Sequence, residues 1–226
     1  MQNIKSVINM ENYNMDLSKR VTINTTKEVF ISSSADGISR ILLEREGAES
    51  GRLTSIVEYI AGAASQRHAN PLGEEIFVLE GIYSDENGDY PAGTYIRNPP
   101  GTSHASFSKK GCKIFVKLNQ MNLKDRKQVV IDTNKTSWHP GHGNLEVMSL
   151  TENAALVKWP GGEQFLNHSH YGGEEIFVLK GEFIDEHGRY PKGTWIRSPH
   201  LSTHFPFVEE ETIIFVKTGH LLSNGV

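Results

Sequence analysis

Two long segments of this chain repeat each other, and this duplication constrains the fold more than any other feature. Residues 68–104 read HANPLGEEIFVLEGIYSDENGDYPAGTYIRNPPGTSH, and residues 168–204 read HSHYGGEEIFVLKGEFIDEHGRYPKGTWIRSPHLSTH. A gapless alignment of 71–118 with 171–218 gives identical residues at 24 of 48 positions. The period is longer than the ~20–50 residues of solenoid repeats, so each copy is expected to be a whole domain.

The 226 residues therefore divide into two tandem domains. We place the first domain at 26–122 and the second at 123–226, and we treat 1–25 as an N-terminal arm outside both copies. Two alternatives stay open for the arm: a strand that packs on a neighbouring sheet, or a partly ordered tail. The polar stretch between the copies contains a further predicted strand at 129–131.

Each copy has the pattern of an all-β domain. Its apolar segments are short, rich in Val, Ile, Phe and Tyr, and interrupted by Gly or Pro. The run IFVL at 76–79, repeated at 176–179, is typical of strands buried on both faces. Asn87–Gly88 marks a tight hairpin, and its counterpart is His187–Gly188. The sequence predicts few helices and two sandwiches or barrels of the jelly-roll type.

Composition and charge exclude several classes of function. The net charge is −4 and no block of lysine and arginine occurs, so direct binding of nucleic acid is not expected. No run approaches the ~18–20 apolar residues of a membrane helix, and the first residues do not resemble a secretory signal. We therefore expect a cytoplasmic protein without a membrane segment. Cys112 is the single cysteine, which excludes an intrachain disulfide and a CxxC zinc site.

Histidine and glutamate residues in the second copy have a spacing suited to a metal site. His168 and His170 are two residues apart, so both imidazoles lie on the same face of an extended strand. Glu174 follows across two glycines that permit a bend, and His204 comes from a later strand. Three imidazoles and one carboxylate suit Fe, Mn, Zn, Ni or Cu rather than Ca. The alternative is a polar cluster that only forms hydrogen bonds.

The spacing resembles that of the cupin family. Residues 162–181, GEQFLNHSHYGGEEIFVLKG, are similar to the first cupin motif, G-x5-H-x-H-x3-E-x6-G. Residues 193–204, GTWIRSPHLSTH, are similar to the second motif, G-x5-P-x-G-x2-H-x3-N. Two positions depart from the second motif, because Leu201 stands in place of glycine and Val208 in place of asparagine. These departures concern the shape of the loop more than the ligands.

Both copies, about 200 residues, are more narrowly similar to the ChrR-type cupins. That family includes the C-terminal domain of the anti-sigma factor ChrR and acetylacetone-type dioxygenases. The resemblance implies a bicupin with two jelly-roll barrels and a divalent transition metal, Zn or Fe ahead of Mn or Ni, in the mouth of the second barrel. It implies that the ligands are His168, His170, Glu174 and His204.

The first copy has an incomplete version of the same ligand set. His68, Glu74 and His104 match three of the four positions, but Asn70 stands where the second copy has His170. An amide oxygen is a poor ligand for a borderline transition metal. We therefore expect the first domain to hold a metal weakly, to hold a different ion, or to bind a ligand without metal.

Two functions follow from the resemblance and stay open at this point. One is a metal-dependent sensor or ligand-binding regulator, like the cupin part of ChrR-type anti-sigma factors. Residues 1–25 contain no His or Cys, so the sigma-binding zinc domain of that family is not expected here. The other is a mononuclear non-haem dioxygenase of the acetylacetone-cleaving type. Both take a small molecule in the barrel, a regulator also has a protein partner, and a monomer and a homodimer are equally compatible with the sequence. A purely structural bicupin needs no metal.

Overall fold

The computed structural model describes residues 12–47 and 51–222. Among these residues, one compact unit holds 12–15, 30–92 and 96–130, and a second holds 16–29, 93–95 and 131–222. The predicted bounds, 1–25, 26–122 and 123–226, are contiguous, whereas the contact units exchange short segments. Residues 1–11 of the predicted arm lie outside the described part of the chain.

The described residues form short strands and a single 3-10 turn, Thr25–Lys27. Up to residue 118 the strands are β1 (Asn12–Tyr13), β2 (Val21–Asn24), β3 (Ile31–Ser32), β4 (Ile38–Glu46), β5 (Leu53–Tyr59), β6 (His68–Asn70), β7 (Glu74–Asp85), β8 (Gly88–Pro91), β9 (Thr94–Asn98), β10 (Thr102–His104) and β11 (Cys112–Leu118). From residue 129 they are β12 (Val129–Asp132), β13 (His139–Pro140), β14 (Glu146–Ser149), β15 (Ala154–Trp159), β16 (His168–Ser169), β17 (Glu174–Lys180), β18 (Glu182–Asp185), β19 (Gly188–Pro191), β20 (Thr194–Ser198), β21 (Thr203–His204) and β22 (Thr212–Thr218). The all-β prediction is confirmed.

The first unit is built on a large antiparallel sheet and a small one. The large sheet has the order β1-β4-β5-β11-β7-β9-β12, with β3 paired to β4 and β8 to β7. The small sheet pairs β10 with β6. The predicted linker strand is confirmed as β12, which lies at the edge of the large sheet next to β9.

The second unit repeats this plan. Its large sheet has the order β13-β14-β15-β22-β17-β20-β2, and two small sheets pair β16 with β21 and β18 with β19. The edge strand β2 comes from the N-terminal arm and pairs antiparallel with β20, with Val21 opposite Arg197. The described part of the arm therefore forms a strand on a sheet, which is one of the two alternatives left open by the sequence.

The repeated apolar run lies at the centre of each core. In the second unit Ile176 and Val178 face a cluster with Trp159 and Ile214. Phe177 points to the opposite face by strand alternation and is only 4% exposed. In the first unit Ile76, Phe77 and Val78 are also buried, and the last residue of the run, Leu79, is partly exposed. The prediction of strands buried on both faces is therefore confirmed for the Ile, Phe and Val of the run.

The predicted hairpins are present, with the turn one residue earlier than the Asn-Gly signal indicates. Asp85 pairs with Gly88, so the two-residue loop is 86–87. Oδ1 of Asp85 accepts hydrogen bonds from the backbone N of Asn87 (2.7 Å) and of Gly88 (3.2 Å). This aspartate closes the turn, and Asp185 does the same in the second unit.

No helix within 12–47 and 51–222 has the length and hydropathy needed to cross a membrane.

Candidate metal centre

Two short strands and a pair of glycines bring the ligand candidates of the second unit together. Strands β16 and β21 pair antiparallel, with His168 opposite His204. His170 follows β16, and two glycines with φ of 75° and 76° turn the chain into β17, whose first residue is Glu174. Such positive φ values favour glycine. The bend that the sequence predicts before the carboxylate is therefore present.

The four side chains are neighbours in space. Ring nitrogens of His168, His170 and His204 lie within 4.8 Å of one another. Nε2 of His170 is 3.2 Å from Nε2 of His204. The carboxylate of Glu174 lies beside them, with Oε1 3.3 Å from His170 Nε2 and Oε2 3.5 Å from His204 Nε2. That these residues bind a metal stays a prediction.

An oxygen atom lies beside Nδ1 of two of the rings, within hydrogen-bond distance in the case of His168. Nδ1 of His168 lies 3.0 Å from the carbonyl oxygen of Leu166. Nδ1 of His204 lies 3.7 Å from Oδ2 of Asp185. Metal-ligating histidines usually have such an acceptor beside the nitrogen that does not bind the metal. The Nε2 atom of each ring is thereby left for the centre of the cluster.

Asp185 is held on both of its carboxylate oxygens. Oδ1 accepts hydrogen bonds from Tyr190 OH and from the backbone N of His187, both at 2.8 Å. Nη2 of Arg20 donates to Oδ2 at 2.6 Å. Burial raises the pKa of Asp185, but hydrogen bonds, first with His204, and the charge of Arg20 bring it below its usual range. An ionised carboxylate therefore faces His204.

Glu174 and His204 of the cluster are buried, and His168 and His170 are partly exposed. Burial, together with the neighbouring His168 and His204, lowers the pKa of His170 to about 4. Burial raises the pKa of Glu174 to about 7. Glu174 is 6% exposed, and within the described part of the chain its Oε2 accepts no hydrogen bond. Buried carboxylate oxygens are normally satisfied, and a divalent cation would satisfy this one. The donor set and the orphaned oxygen fit a transition metal.

The first unit repeats the scaffold around three ligand candidates. His68, Glu74 and His104 offer atoms within 4.8 Å of one another. Nε2 of His104 is 3.1 Å from Nε2 of His68 and 3.2 Å from Oε2 of Glu74. Nδ1 of His68 lies 3.1 Å from the carbonyl oxygen of Gln66, and Nδ1 of His104 lies 3.7 Å from Asp85. The same kinds of oxygen therefore lie beside the two rings as in the second unit, and within the described residues Nδ1 of His104 forms no hydrogen bond.

The fourth position makes the two centres chemically different. Nδ2 of Asn70 donates to Oε2 of Glu74 at 3.3 Å, and Nδ2 of Asn98 donates to the same oxygen at 3.1 Å. The carboxylate of the first unit is thus satisfied by two amides, whereas no described residue donates to Oε2 of Glu174. The two amide donors thus satisfy the carboxylate oxygen without a metal ion. This agrees with the expectation that the first domain holds a metal weakly.

A second difference lies behind the ligands. In the second unit Nη1 of Arg20 donates to Ser198 Oγ at 3.1 Å. In the first unit Nε2 of Gln128 donates to Oδ1 of Asn98, the counterpart of Ser198, at 3.4 Å. A cavity of about 180 Å³ lies on this side of the first unit. The residues that line the cavity are Asp85, Asn87, Asn98, Thr102, Ser103, His104 and Gln128.

The sequence of the chain matches a known family twice. The family model described as the ChrR Cupin-like domain matches residues 18–122 and again residues 126–222. The chain belongs to the ChrR Cupin-like domain family. This result confirms the resemblance seen in the motifs, and with the strand topology it confirms two tandem cupin domains. No curated protein sequence matches this cupin chain significantly.

Solved structures share the cupin fold over most of this chain. A protein from Nostoc punctiforme proposed to be a dioxygenase has a TM-score of 0.75 and 17% identity over 92% of this chain and 85% of its own. Protein Ylba from E. coli has a TM-score of 0.68 and 12% identity over 92% and 94%. Oxalate decarboxylase from Bacillus subtilis, which has Mn(II) centres, has a TM-score of 0.60 and 11% identity over 89% and 78%. At these identities the likeness shows the fold alone.

Sequence reasoning missed two residues of this bicupin that lie beside the candidate ligands. Asp185 is unchanged between the copies, as Asp85, and follows a predicted strand, so its repetition beside a hairpin was an available signal. Arg20 gave no such signal. It lies in the arm, outside the aligned repeat, and it reaches Asp185 only through the pairing of β2 with β20.

Proposed function

We propose that this protein is a metal-dependent bicupin that holds one divalent transition metal ion in its second domain. The ligands would be His168, His170, Glu174 and His204. The observation that carries the proposal is the convergence of three imidazoles on a buried carboxylate whose Oε2 has no hydrogen-bond donor in the described chain. In a cluster that only formed hydrogen bonds, this buried oxygen would remain without a partner, which costs free energy.

The ligand arrangement favours an open site over a closed structural one. His168 is partly exposed and the side chain of His170 is 20% exposed, while Glu174 and His204 are buried. The ion would therefore be held from one side and reachable from the other. An octahedral ion with four protein ligands leaves two positions for a small molecule, whereas structural zinc is usually enclosed by four ligands. This supports Fe or Mn in a working site, with Zn or Ni as the alternatives.

The activity we propose is that of a mononuclear metal dioxygenase acting on a small chelating substrate. A bound divalent metal supplies Lewis acidity and orients such a substrate. The chain supplies the rest: the carboxylate of Asp185 lies 3.7 Å from Nδ1 of His204, which would leave Nε2 of that ring for the metal, and burial of Glu174 excludes water from one side. The resemblance to acetylacetone-type dioxygenases agrees with this proposal, as does the proposed dioxygenase among the structural neighbours.

A metal-dependent sensor is the second candidate, because the family is described by the regulator ChrR. Oxygen uptake separates the two candidates. We expect Fe(II)-loaded protein to consume O₂ with a chelating substrate and His170→Asn protein to consume none above background. The first copy shows that this fold accepts Asn at that position. Binding of the same small molecule without turnover, under every metal tried, would contradict the dioxygenase and favour the sensor.

A further inference from the structure

Exposed apolar side chains lie beside the ligand histidines of the second domain and are replaced in the first domain. Each of the four is within three residues of a ligand, and their exposed fractions are large. They are Leu166 (90%), Tyr171 (72%), Leu201 (55%) and Phe205 (41%). At the same positions of the first copy stand Gln66, Pro71, Gly101 and Ala105. The apolar rim, as we name these four side chains, is thus specific to the domain that has the complete ligand set.

The rim residues are attached to the two strands that carry the ligands. His168 lies opposite His204 in the β16 and β21 pair, so Leu166 and Phe205 lie toward one end of the ladder. At the other end the backbone N of Leu201 donates to the carbonyl oxygen of His170 at 3.0 Å. The ring of Tyr171 packs edge-on against the ring of His200, with the two centroids 4.9 Å apart. Both ends of the ligand-bearing ladder therefore present apolar surface.

Leu201 has a backbone conformation that favours glycine. Its φ is 59°, and its counterpart Gly101 has φ of 84°. Residues with a side chain are strained in this region, and backbone strain of this kind is concentrated at functional sites. Packing does not explain the leucine, because 55% of it is exposed.

The wall behind the ligands shows the same contrast. In the second domain the ring centroids of Trp159 and Phe165 are 4.6 Å apart, and those of Phe165 and His168 are 6.1 Å apart. The counterparts in the first domain are hydroxylated: Tyr59 OH lies 2.9 Å from Ser106 Oγ, which lies 2.8 Å from Ser65 Oγ. The second domain therefore has aromatic and apolar side chains at positions where the first domain has hydroxyl groups.

One buried polar atom in this wall has no partner. Trp159 is 4% exposed, and its Nε1 makes no hydrogen bond with the described residues. In the first domain the hydroxyl of Ser106 lies beside the hydroxyl of Tyr59. Pro206 occupies the matching position in the second domain, so it offers no hydroxyl to accept a hydrogen bond from Trp159 Nε1. Buried donors are normally satisfied by protein, water or ligand. A bound molecule with a hydrogen-bond acceptor would satisfy this one.

We propose that the second domain takes a small molecule with an oxygen-chelating head and an apolar substituent. The head would be held at the metal, and the substituent would lie against Leu166, Leu201 and Phe205. This inference rests on the proposed metal site and adds its substrate class. It distinguishes the site from one for oxalate, the substrate named for a structural neighbour, because oxalate has no apolar part.

The test uses full-length protein loaded with Co(II), whose visible spectrum reports chelation without turnover. Pyruvate, 2-oxohexanoate and 2-oxooctanoate share one chelating head and differ in alkyl length, and oxalate has the head alone. Each buried methylene favours binding, so we expect affinity to rise about ten-fold or more from pyruvate to 2-oxooctanoate. In the combined variant Leu166→Gln, Leu201→Gly, Phe205→Ala, which installs first-domain residues, we expect that dependence on length to disappear while Co(II) stays bound. Val29→Ala, at another residue that is 81% exposed, is the matched control.

The outcomes separate this inference from the proposed function. Equal affinity for all three oxo acids, or a rise with length that the combined variant retains, overturns the apolar class and leaves the metal site intact. Failure of Co(II) to bind overturns the proposed function itself. Self-association that is lost in the combined variant, without any effect of alkyl length, identifies the rim as a surface for a second copy and also overturns the inference.

Discussion

The difference between Asn70 and His170 shows how one side chain changes the chemistry of a conserved scaffold. In the first domain the amide of Asn70 donates to Glu74, and in the second domain the imidazole of His170 lies 3.3 Å from Glu174. The first arrangement is complete without an ion, because the carboxylate oxygen has two amide donors. The second is not, which is why we assign the metal to it.

At the residue scale, Asp185 tests how far the metal depends on a residue that does not bind it. Asp185→Asn removes the charge that faces His204 and keeps the size of the side chain. We expect the metal dissociation constant to rise about 10- to 100-fold, because acceptors behind ligating histidines have effects of this size. Competition with a chromophoric chelator measures it. Asp85→Asn, at the matching position of the first domain, is the control, and equal effects of the two changes would contradict the assignment.

Another residue-scale expectation concerns acid stability. Asp125 forms a bidentate ion pair with Arg97, and the hydrogen bonds from this arginine lower the pKa of Asp125 to about 2 from 3.8. A depressed folded pKa stabilises the protein above the unfolded value, and this stabilisation is lost as pH falls from about 4 toward 2. We expect Asp125→Asn to lower the free energy of unfolding at pH 7 and to have a smaller effect near pH 2. Denaturant titrations at several pH values would show this, and an effect that does not vary with pH would refute it.

At the scale of elements, the close approach of strands fixes one glycine of the first cupin motif. A Cβ on Gly181 would lie 2.6 Å from the carbonyl oxygen of Glu211, and its φ is 72°. A Cβ on Gly162, with φ of 85°, would meet nothing within 4 Å. We expect Gly162→Ala to destabilise by about 1–2 kcal/mol from backbone strain alone and Gly181→Ala by more. Urea unfolding of both variants checks the order, and the reverse order would contradict the packing described.

The pairing of strand β2 places Arg20, a residue of the N-terminal arm, beside the candidate metal centre of the second domain. The side chain of Arg20 is 22% exposed and pairs with Asp185, whose side chain is fully buried. Arg20→Gln, which copies Gln128 of the first domain, leaves that charge without its cation. We expect a loss of about 2 kcal/mol in the free energy of unfolding, less than for a fully buried pair, and weaker metal binding.

Lys19→Gln is the control for this change, because the side chain of Lys19 is 75% exposed. If the two glutamine variants unfold at the same denaturant concentration, Arg20 does not hold Asp185 in the way described. Metal affinity measured on the same samples separates the loss of positioning from a general loss of stability.

At the scale of the whole molecule, the duplication explains what the sequence could and could not predict. The two repeats and many of their strands follow from the sequence pattern, since repeated motifs carry the same local geometry, and the candidate ligands are what the resemblance to the cupin motifs implies. The hairpin loop was predicted one residue late because the side chain of Asp85, rather than Asn87–Gly88 alone, closes the turn. The pairing of β2 with β20 was not predicted, because strand partners distant in sequence leave no local pattern.

The two-domain arrangement also separates two kinds of chemistry within one chain. The second domain has all four candidate ligands, an ionised aspartate held by Arg20 and an apolar rim. The first has an amide-satisfied carboxylate and a polar cavity of about 180 Å³. We therefore expect metal-dependent activity to reside in the second domain alone.

Metal content per chain tests this central claim most directly. Protein purified without a nickel column would be analysed by inductively coupled plasma mass spectrometry as wild type, as His170→Asn and as Asn70→His. We expect about one transition metal ion per wild-type chain, almost none after His170→Asn, and a second after Asn70→His, because three imidazoles and a carboxylate are then complete in the first domain. Metal that survives His170→Asn at the wild-type level would contradict the assignment of the site to the second domain.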